Sequence, residues 1–186
     1  TGVYFGCKKQ KKPRCPSEIA KMFGLGLTDV TSGCRKFQQI MGKGMNIYNI
    51  KSSKPHEYIK RCGPELKIQK RYIDETIKII HNITLLDYAS DHQPQSIAAG
   101  VLYLVVMNNN LDISKEDISK TLETSVVTVQ KIYEKLVQFE KVITNDDSVA
   151  RIYKQIQLKK LGIENESSLD YSESNICSHM KSNNLL

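Results

Sequence analysis

Between residues 8 and 14 the chain reads Lys8-Lys9-Gln10-Lys11-Lys12-Pro13-Arg14, five cations in seven positions. Such a run suits a polyanion. Each cation that meets a phosphate releases a condensed counterion, which gives affinity without sequence preference that falls as salt rises. The same run also suits a solvated loop or a localisation signal. Charge elsewhere does not repeat it. Residues 1–44 hold nine Lys and Arg against Glu18 and Asp29, whereas residues 45–186 balance, so the net +7 sits in the first quarter.

Other chemistries lack their residues. Cys7, Cys15, Cys34, Cys62 and Cys177 are odd in number, widely spaced and form no CxxC, and His56, His81, His92 and His179 do not cluster with them. That pattern fits reduced thiols in an intracellular protein rather than a disulfide framework or a zinc site. No Gly-rich phosphate loop, Ser–His or Cys–His pairing motif or run of metal ligands occurs, so an enzyme is not expected. Gly24-Leu25-Gly26 reads as a helix stop, and Tyr72, Tyr88, Tyr103 and Tyr133 as core or groove-lining residues. With 40% hydrophobic and 25% charged residues the composition is globular. The longest apolar run, Ile97 to Met107, is too short for the roughly 20 residues of a membrane span. No charged-then-apolar leader opens the sequence, so secretion is not indicated.

The elements that must position the basic run are helices. Glu65 to Ile83 spaces Leu66, Ile68, Tyr72, Ile73, Ile77, Ile80 and Ile83 largely at three- and four-residue steps, which predicts one long amphipathic helix. Gly63-Pro64 is expected to end a shorter helix that starts near Pro55. Pro94 opens a helix that is apolar nearly all round, from Ile97 to Val106, and belongs at the centre of a bundle. Its Ala98, Ala99 and Gly100 allow close neighbours, and Asn108-Asn109-Asn110 ends it. Ser114 with Asp117 begins a short helix that buries Ile118 and Leu122. After a turn at Glu123-Thr124, a longer helix runs from about Ser125 to Phe139 with Val126, Val129, Tyr133, Leu136 and Val137 on one face. A short helix, a tight turn and a longer helix make a helix-turn-helix, although any helical hairpin gives the same spacing.

The pattern occurs twice. Gly2-Val3-Tyr4-Phe5 echoes Gly100-Val101-Leu102-Tyr103 at an offset of 98, and Glu18-Ile19-Ala20-Lys21 echoes Asp117-Ile118-Ser119-Lys120 at 99. Val30, Phe37 and Ile40 echo Val126, Tyr133 and Leu136 at 96. The drift reads as loop-length difference. The expected organisation is the end of a first repeat over residues 1–50, a second repeat over 51–145, and an extra helix with a flexible tail over 146–186. The chain thus reads as the carboxy-terminal part of a two-repeat protein. The extra helix spans Asp146 to Leu161, capped by Asp146 or Asp147.

These residues resemble the cyclin-like core of TFIIB-type general transcription initiation factors. Gln93-Pro94-Gln95-Ser96-Ile97-Ala98-Ala99-Gly100-Val101-Leu102-Tyr103 is similar to the family's Pro-x-Ser-Ile-Ala-Ala-Ala-x-Ile-Tyr segment. Val127-Thr128-Val129-Gln130-Lys131-Ile132-Tyr133 is similar to its Val-Thr-Ile-Arg-x-x-Tyr recognition helix. Cys7 to Arg14 resembles the first repeat's Cys-Arg-Gln-(loop)-Pro-Arg stretch, and Arg35 to Ile40 the end of that repeat's last helix. The resemblance covers roughly residues 1–145. It implies an all-α fold of tandem five-helix cyclin-like repeats, each ending in a helix-turn-helix, the first lacking its amino-terminal helices here. It implies promoter DNA with a TATA box, the TATA-binding protein and a multisubunit RNA polymerase as partners. It also implies a zinc ribbon in the missing amino-terminal part, with no cofactor in this chain and no membrane partner.

By the same resemblance Lys8, Lys9, Lys11, Lys12 and Arg14 form a phosphate-contacting loop with Arg35 and Lys36 nearby. Val127, Thr128, Gln130 and Lys131 then lie where the second repeat's helix enters a major groove. Two departures bear on this. Gln130 replaces the family's arginine, which removes a bidentate guanine contact and leaves an adenine contact open, and His92-Gln93 replaces the usual Gly-Arg. The alternative on the same fold is a cyclin-type subunit that binds a protein kinase, which needs neither the basic loop nor both motif matches. Abundant Lys, Ile and Asn point to an AT-rich genome such as that of a large DNA virus. The expected location is intracellular: the nucleus for a cellular factor, a cytoplasmic viral factory or virion for a viral one.

Overall fold

Ten apolar or small residues of the segment opened by Pro94 are buried, and the rest of the chain is arranged around them. In the computed structural model, which describes residues 1–41, 53–88 and 91–160, the described elements are all helices. They are α1 (Gly2–Lys9), α2 (Pro16–Phe23), α3 (Leu27–Met41), α4 (Pro55–Glu65), α5 (Lys70–Leu85), α6 (Pro94–Asn108), α7 (Lys115–Thr121), α8 (Val126–Val137), α9 (Glu140–Ile143) and α10 (Asp146–Lys160). Helix α6 is the axis: Ala98, Ala99, Val101, Leu102, Leu104 and Val105 have no exposed surface. Helices α4, α5, α7 and α8 pack around it. Each fully buried Leu or Ile in that core stabilises the fold by roughly 1.5–3 kcal/mol.

Helices α6 and α8 approach each other closely. A Cβ on Gly100 would stand 2.3 Å from Cγ2 of Ile132 and 2.7 Å from its Cβ. Only a hydrogen at Gly100 lets the two helices cross at this distance. Ile132 is therefore on the core face of α8 together with Val129 and Leu136. Spacing alone puts Val137 on that face, but Val137 is 39% exposed. Three-residue steps from Val126 and Val129 lead to Ile132, and Val137 falls a further step round the helix.

Two other boundaries differ from expectation. Helix α4 runs through Gly63-Pro64 to Glu65, and α5 begins at Lys70 rather than Glu65. Leu66 and Ile68 sit in the connection, where Ile68 is buried. Gly63 is needed for packing, since a Cβ there would meet the Ile73 side chain at 2.7 Å. Helix α10 is capped by Asn145, whose Oδ1 accepts from the backbone N–H of Asp147 and Ser148, so neither aspartate is the cap. Val149, Ile152 and Ile156 bring α10 into the main core. Buried Asn82 fastens the junction, its Nδ2 donating to the Ile143 carbonyl and the Asp146 carboxylate. The expected flexible tail lies outside the described residues.

Helices α1–α3 reproduce the backbone hydrogen bonds of α6–α8 at one offset. Lys12 N–H donates to Cys7 C=O as Leu111 does to Val106, and Leu25 to Ala20 as Thr124 does to Ser119. The left-handed residues Lys11 and Gly24 match Asn110 and Glu123. Cys15 Sγ caps α2 through the Glu18 N–H as Ser114 Oγ caps α7 through Asp117. All these pairs are 99 residues apart, so the drift between 96 and 99 read from side-chain types is not present in the backbone. At that offset Val30 matches Val129, both buried, and Ile40, 73% exposed, matches Phe139, which is half-buried against the main core. The helix crossing recurs with roles exchanged: a Cβ on Gly33 in α3 would stand 2.7 Å from Thr1 Oγ1. Thr1 and Gly33 correspond to Gly100 and Ile132. Phe5, Ile19, Ala20, Val30 and Cys34 form this smaller core, with Phe37 stacked on Phe5 at 4.8 Å between ring centres.

Candidate nucleic-acid interface

The basic run is built by a helix that stops and a helix that starts. Helix α1 ends when Lys11 takes a left-handed conformation (φ 55°), which turns the chain and lets the Lys12 N–H reach the Cys7 carbonyl. Pro13 is buried and Cys15 caps α2, so the segment between them is anchored at both ends. Lys9, Lys11 and Lys12 project into solvent, and Lys8 leans over the Tyr4 ring with its ammonium 5.0 Å from the centroid. Arg14 differs from them. Its guanidinium pairs with Glu18 at 3.1 Å, so its first role is to hold α2. Arg35 and Lys36 are exposed on α3.

Glu18 matters beyond its place in the repeat. Its carboxylate receives a bidentate pair from Arg61 of α4, at 3.0 and 3.1 Å, along with Arg14 and the Cys15 N–H. Arg61 and Glu18 side chains are only 9% and 11% exposed. A second bridge joins Lys21 of α2 to Glu123 in the α7–α8 turn at 2.8 Å, and that carboxylate raises the Lys21 pKa. These two contacts tie the basic unit to the larger one. Nothing in sequence spacing links residue 18 to residue 61, or 21 to 123, so neither bridge is readable from the sequence.

The second candidate surface is the outward side of α8. Its N-cap is Ser125, whose Oγ accepts from the Thr128 N–H and lies 2.7 Å from the Thr128 hydroxyl. Thr128 is thus committed first to the cap. Val127 is 62% exposed and Lys131 is exposed one turn further on. Gln130 donates from Nε2 to Glu134 Oε1 at 2.9 Å. Among the described residues no group of three or more His, Cys, Asp or Glu is placed to hold a metal ion. Burial raises the thiol pKa of Cys15, Cys34 and Cys62, the last to about 12, which makes them poor nucleophiles. No described helix is long and apolar enough to cross a membrane.

An all-helical body with a central apolar helix, carrying a short helix, a tight turn and a longer helix beside it, is the fold class of a cyclin-like repeat with a helix-turn-helix. Comparison with known proteins narrows the class. Residues 49–139 match the family described as the transcription factor TFIIB repeat. A protein of Acanthamoeba polyphaga mimivirus, named as transcription initiation factor IIB-like, is 34% identical over 160 residues, covering 84% of this chain and 35% of the relative. Transcription initiation factor IIB of Ignicoccus hospitalis is 23% identical over 84% of this chain and 47% of its own length. That of Sulfurisphaera tokodaii is 24% identical over 75% and 44%. The chain is TFIIB-like over residues 49–139, and the relatives it matches are named as transcription initiation factors, not as enzymes. It spans between about a third and a half of the length of these relatives.

Proposed function

We propose that this chain is the core of an initiation factor that binds promoter DNA already held by a TATA-binding protein and bridges that complex to a multisubunit RNA polymerase. The observation that carries the reading is the pair of helix-turn-helix units with one backbone framework, joined through Lys21–Glu123, only one of which bears the cation cluster. Lys9, Lys11 and Lys12, with Lys8, Arg35 and Lys36, meet phosphates on the duplex beyond one side of the TATA element. The α8 surface meets the duplex on the other side. Two modest DNA contacts flanking a bound protein suit a clamp better than an autonomous DNA binder, because the α4–α8 unit has no net positive charge to supply affinity alone.

The segments of the relatives beyond this chain supply the zinc ribbon and the polymerase contact. Viral origin is supported by the mimivirus relative at 34% identity. A fluorescence-anisotropy titration of a TATA-containing duplex, with and without the matching TATA-binding protein, tests the reading. A ternary complex that forms only with both proteins present supports it. Binding to a cyclin-dependent-type kinase subunit, with no ternary complex at low salt, overturns it in favour of the cyclin reading.

A further inference from the structure

The outward face of α8 consists of exposed Val127, Lys131 and Glu134 and half-buried Gln130, at positions i, i+4, i+7 and i+3, opposite the core face of Val129, Ile132 and Leu136. Any duplex presented to this face meets Gln130 beside a carboxylate. At the place on α3 equivalent to Glu134, 99 residues earlier, stands Arg35. A surface that served phosphates would gain from a cation there, and α8 carries an anion instead. The Gln130–Glu134 bond gives that anion a purpose. A carboxylate accepts and cannot donate, so it takes an N–H of Gln130 and fixes which way the amide points.

We propose that Glu134 is a positioning residue that makes Gln130 selective for adenine in the duplex under α8. With one Nε2 hydrogen held by Glu134, the free edge of the amide presents the other hydrogen beside Oε1. One donor next to one acceptor complements adenine, whose major-groove edge offers N7 as acceptor and N6–H as donor. Guanine offers two acceptors, N7 and O6, and would set Oε1 of Gln130 against O6. An unsupported glutamine amide rotates and discriminates less. Val127, exposed one turn earlier, places methyl groups where a neighbouring thymine methyl lies in the same groove. The inference rests on the proposed function, in that α8 must face duplex.

The test uses the full chain with the TATA-binding protein on duplexes that differ only by A·T or G·C at each upstream position. One position is expected to favour adenine over guanine by about tenfold, the scale of one bidentate pair. Gln130→Ala abolishes the preference. Glu134→Ala lowers it severalfold while overall affinity holds or rises, because an anion has been removed from a DNA-facing surface. A merely structural role would lower both together. Glu134→Gln, which keeps the shape but accepts either end of the Gln130 amide, behaves like the alanine variant. An unchanged ratio in Glu134→Ala, or no position that responds to Gln130→Ala, overturns the inference while the ternary complex, and with it the proposed function, stands. Failure to form a ternary complex on any duplex overturns both.

Discussion

Replacing Gly100 by alanine sets two effects of opposite sign against each other. Alanine is the better helix former by about 1 kcal/mol, so at an open position in a helix the substitution stabilises. At Gly100 the added Cβ would stand 2.3 Å from Ile132 Cγ2 and 2.7 Å from Ile132 Cβ, against about 3.5–4.0 Å for an unstrained carbon contact. Ile132 cannot swing aside, because a β-branched side chain in a helix has one strongly preferred χ1. Nor can it move outward, since it has no exposed surface. The helices α6 and α8 must separate by about an ångström, at an overpacking cost toward the upper end of roughly 1–3 kcal/mol. The net is about 2 kcal/mol of destabilisation, or a fall of about 4–8 °C in Tm for a chain of this size. Urea unfolding followed by circular dichroism reads it. Ile132→Ala alone costs about 2–5 kcal/mol. The double variant should cost less than the sum by about 1 kcal/mol, because the worst clash is gone and the new methyl fills part of the void. A neutral or stabilised Gly100→Ala, or strict additivity, would refute the account of the crossing.

Other expectations follow from single features. Glu18→Gln should cost about 3 kcal/mol because it leaves buried Arg61 only the more distant Glu65 carboxylate, at 3.8 Å, as counter-charge, and Glu18→Leu with Arg61→Met should cost less than either alone; chemical denaturation measures both. Lys67 ends α4 with φ 55°, so Lys67→Gly should stabilise by about 1 kcal/mol, read as a rise in Tm. Hydrogen bonds from Lys78 and Asn82 lower the Asp146 pKa from its ordinary 3.8. Stability from that depressed carboxyl is present above its unfolded pKa and is lost as pH falls through the folded one. Asp146→Asn should therefore be less stable than the parent at pH 6 and match it near pH 2. Iodoacetamide at pH 8 should label partly exposed Cys7 well before Cys62, which is fully buried and whose pKa is raised to about 12; mass mapping of the native protein decides it.

Helix type, the central helix and both helix-turn-helix units are legible in the sequence because their signals are local. Pro94 at a first turn, the unbroken apolar run behind it and the Ser114–Asp117 cap need no tertiary information. The stops are harder. Helices α1, α4, α5, α6 and α7 end at left-handed Lys11, Lys67, Asp87, Asn110 and Glu123, most of which carry little turn signal, whereas among the described residues a left-handed glycine ends only α2. That is why apolar spacing starts α5 at Glu65, through Leu66 and Ile68, and not at Lys70. In the interface the cations are visible as types but their partners are not. Arg14 looks like its neighbours until Glu18 is seen beside it, and Glu134 carries no signal because i, i+4 pairs on an exposed face are common. The inter-unit bridges Glu18–Arg61 and Lys21–Glu123 join residues 43 and 102 apart in sequence, a separation no periodicity encodes.

The salt dependence of the ternary complex tests the central claim most directly. Affinity for the complex of TATA-binding protein and duplex should be measured across a salt series for the parent and for Lys9→Ala, Lys11→Ala and Lys12→Ala combined. If these lysines meet phosphates, the slope of log affinity against log salt becomes shallower by about 0.9 for each phosphate no longer neutralised, and by about three when all the lysines are replaced. Binding then weakens on every duplex alike. A parent and triple variant with the same slope would contradict the account, because the chain's concentrated charge would then play no part in holding DNA.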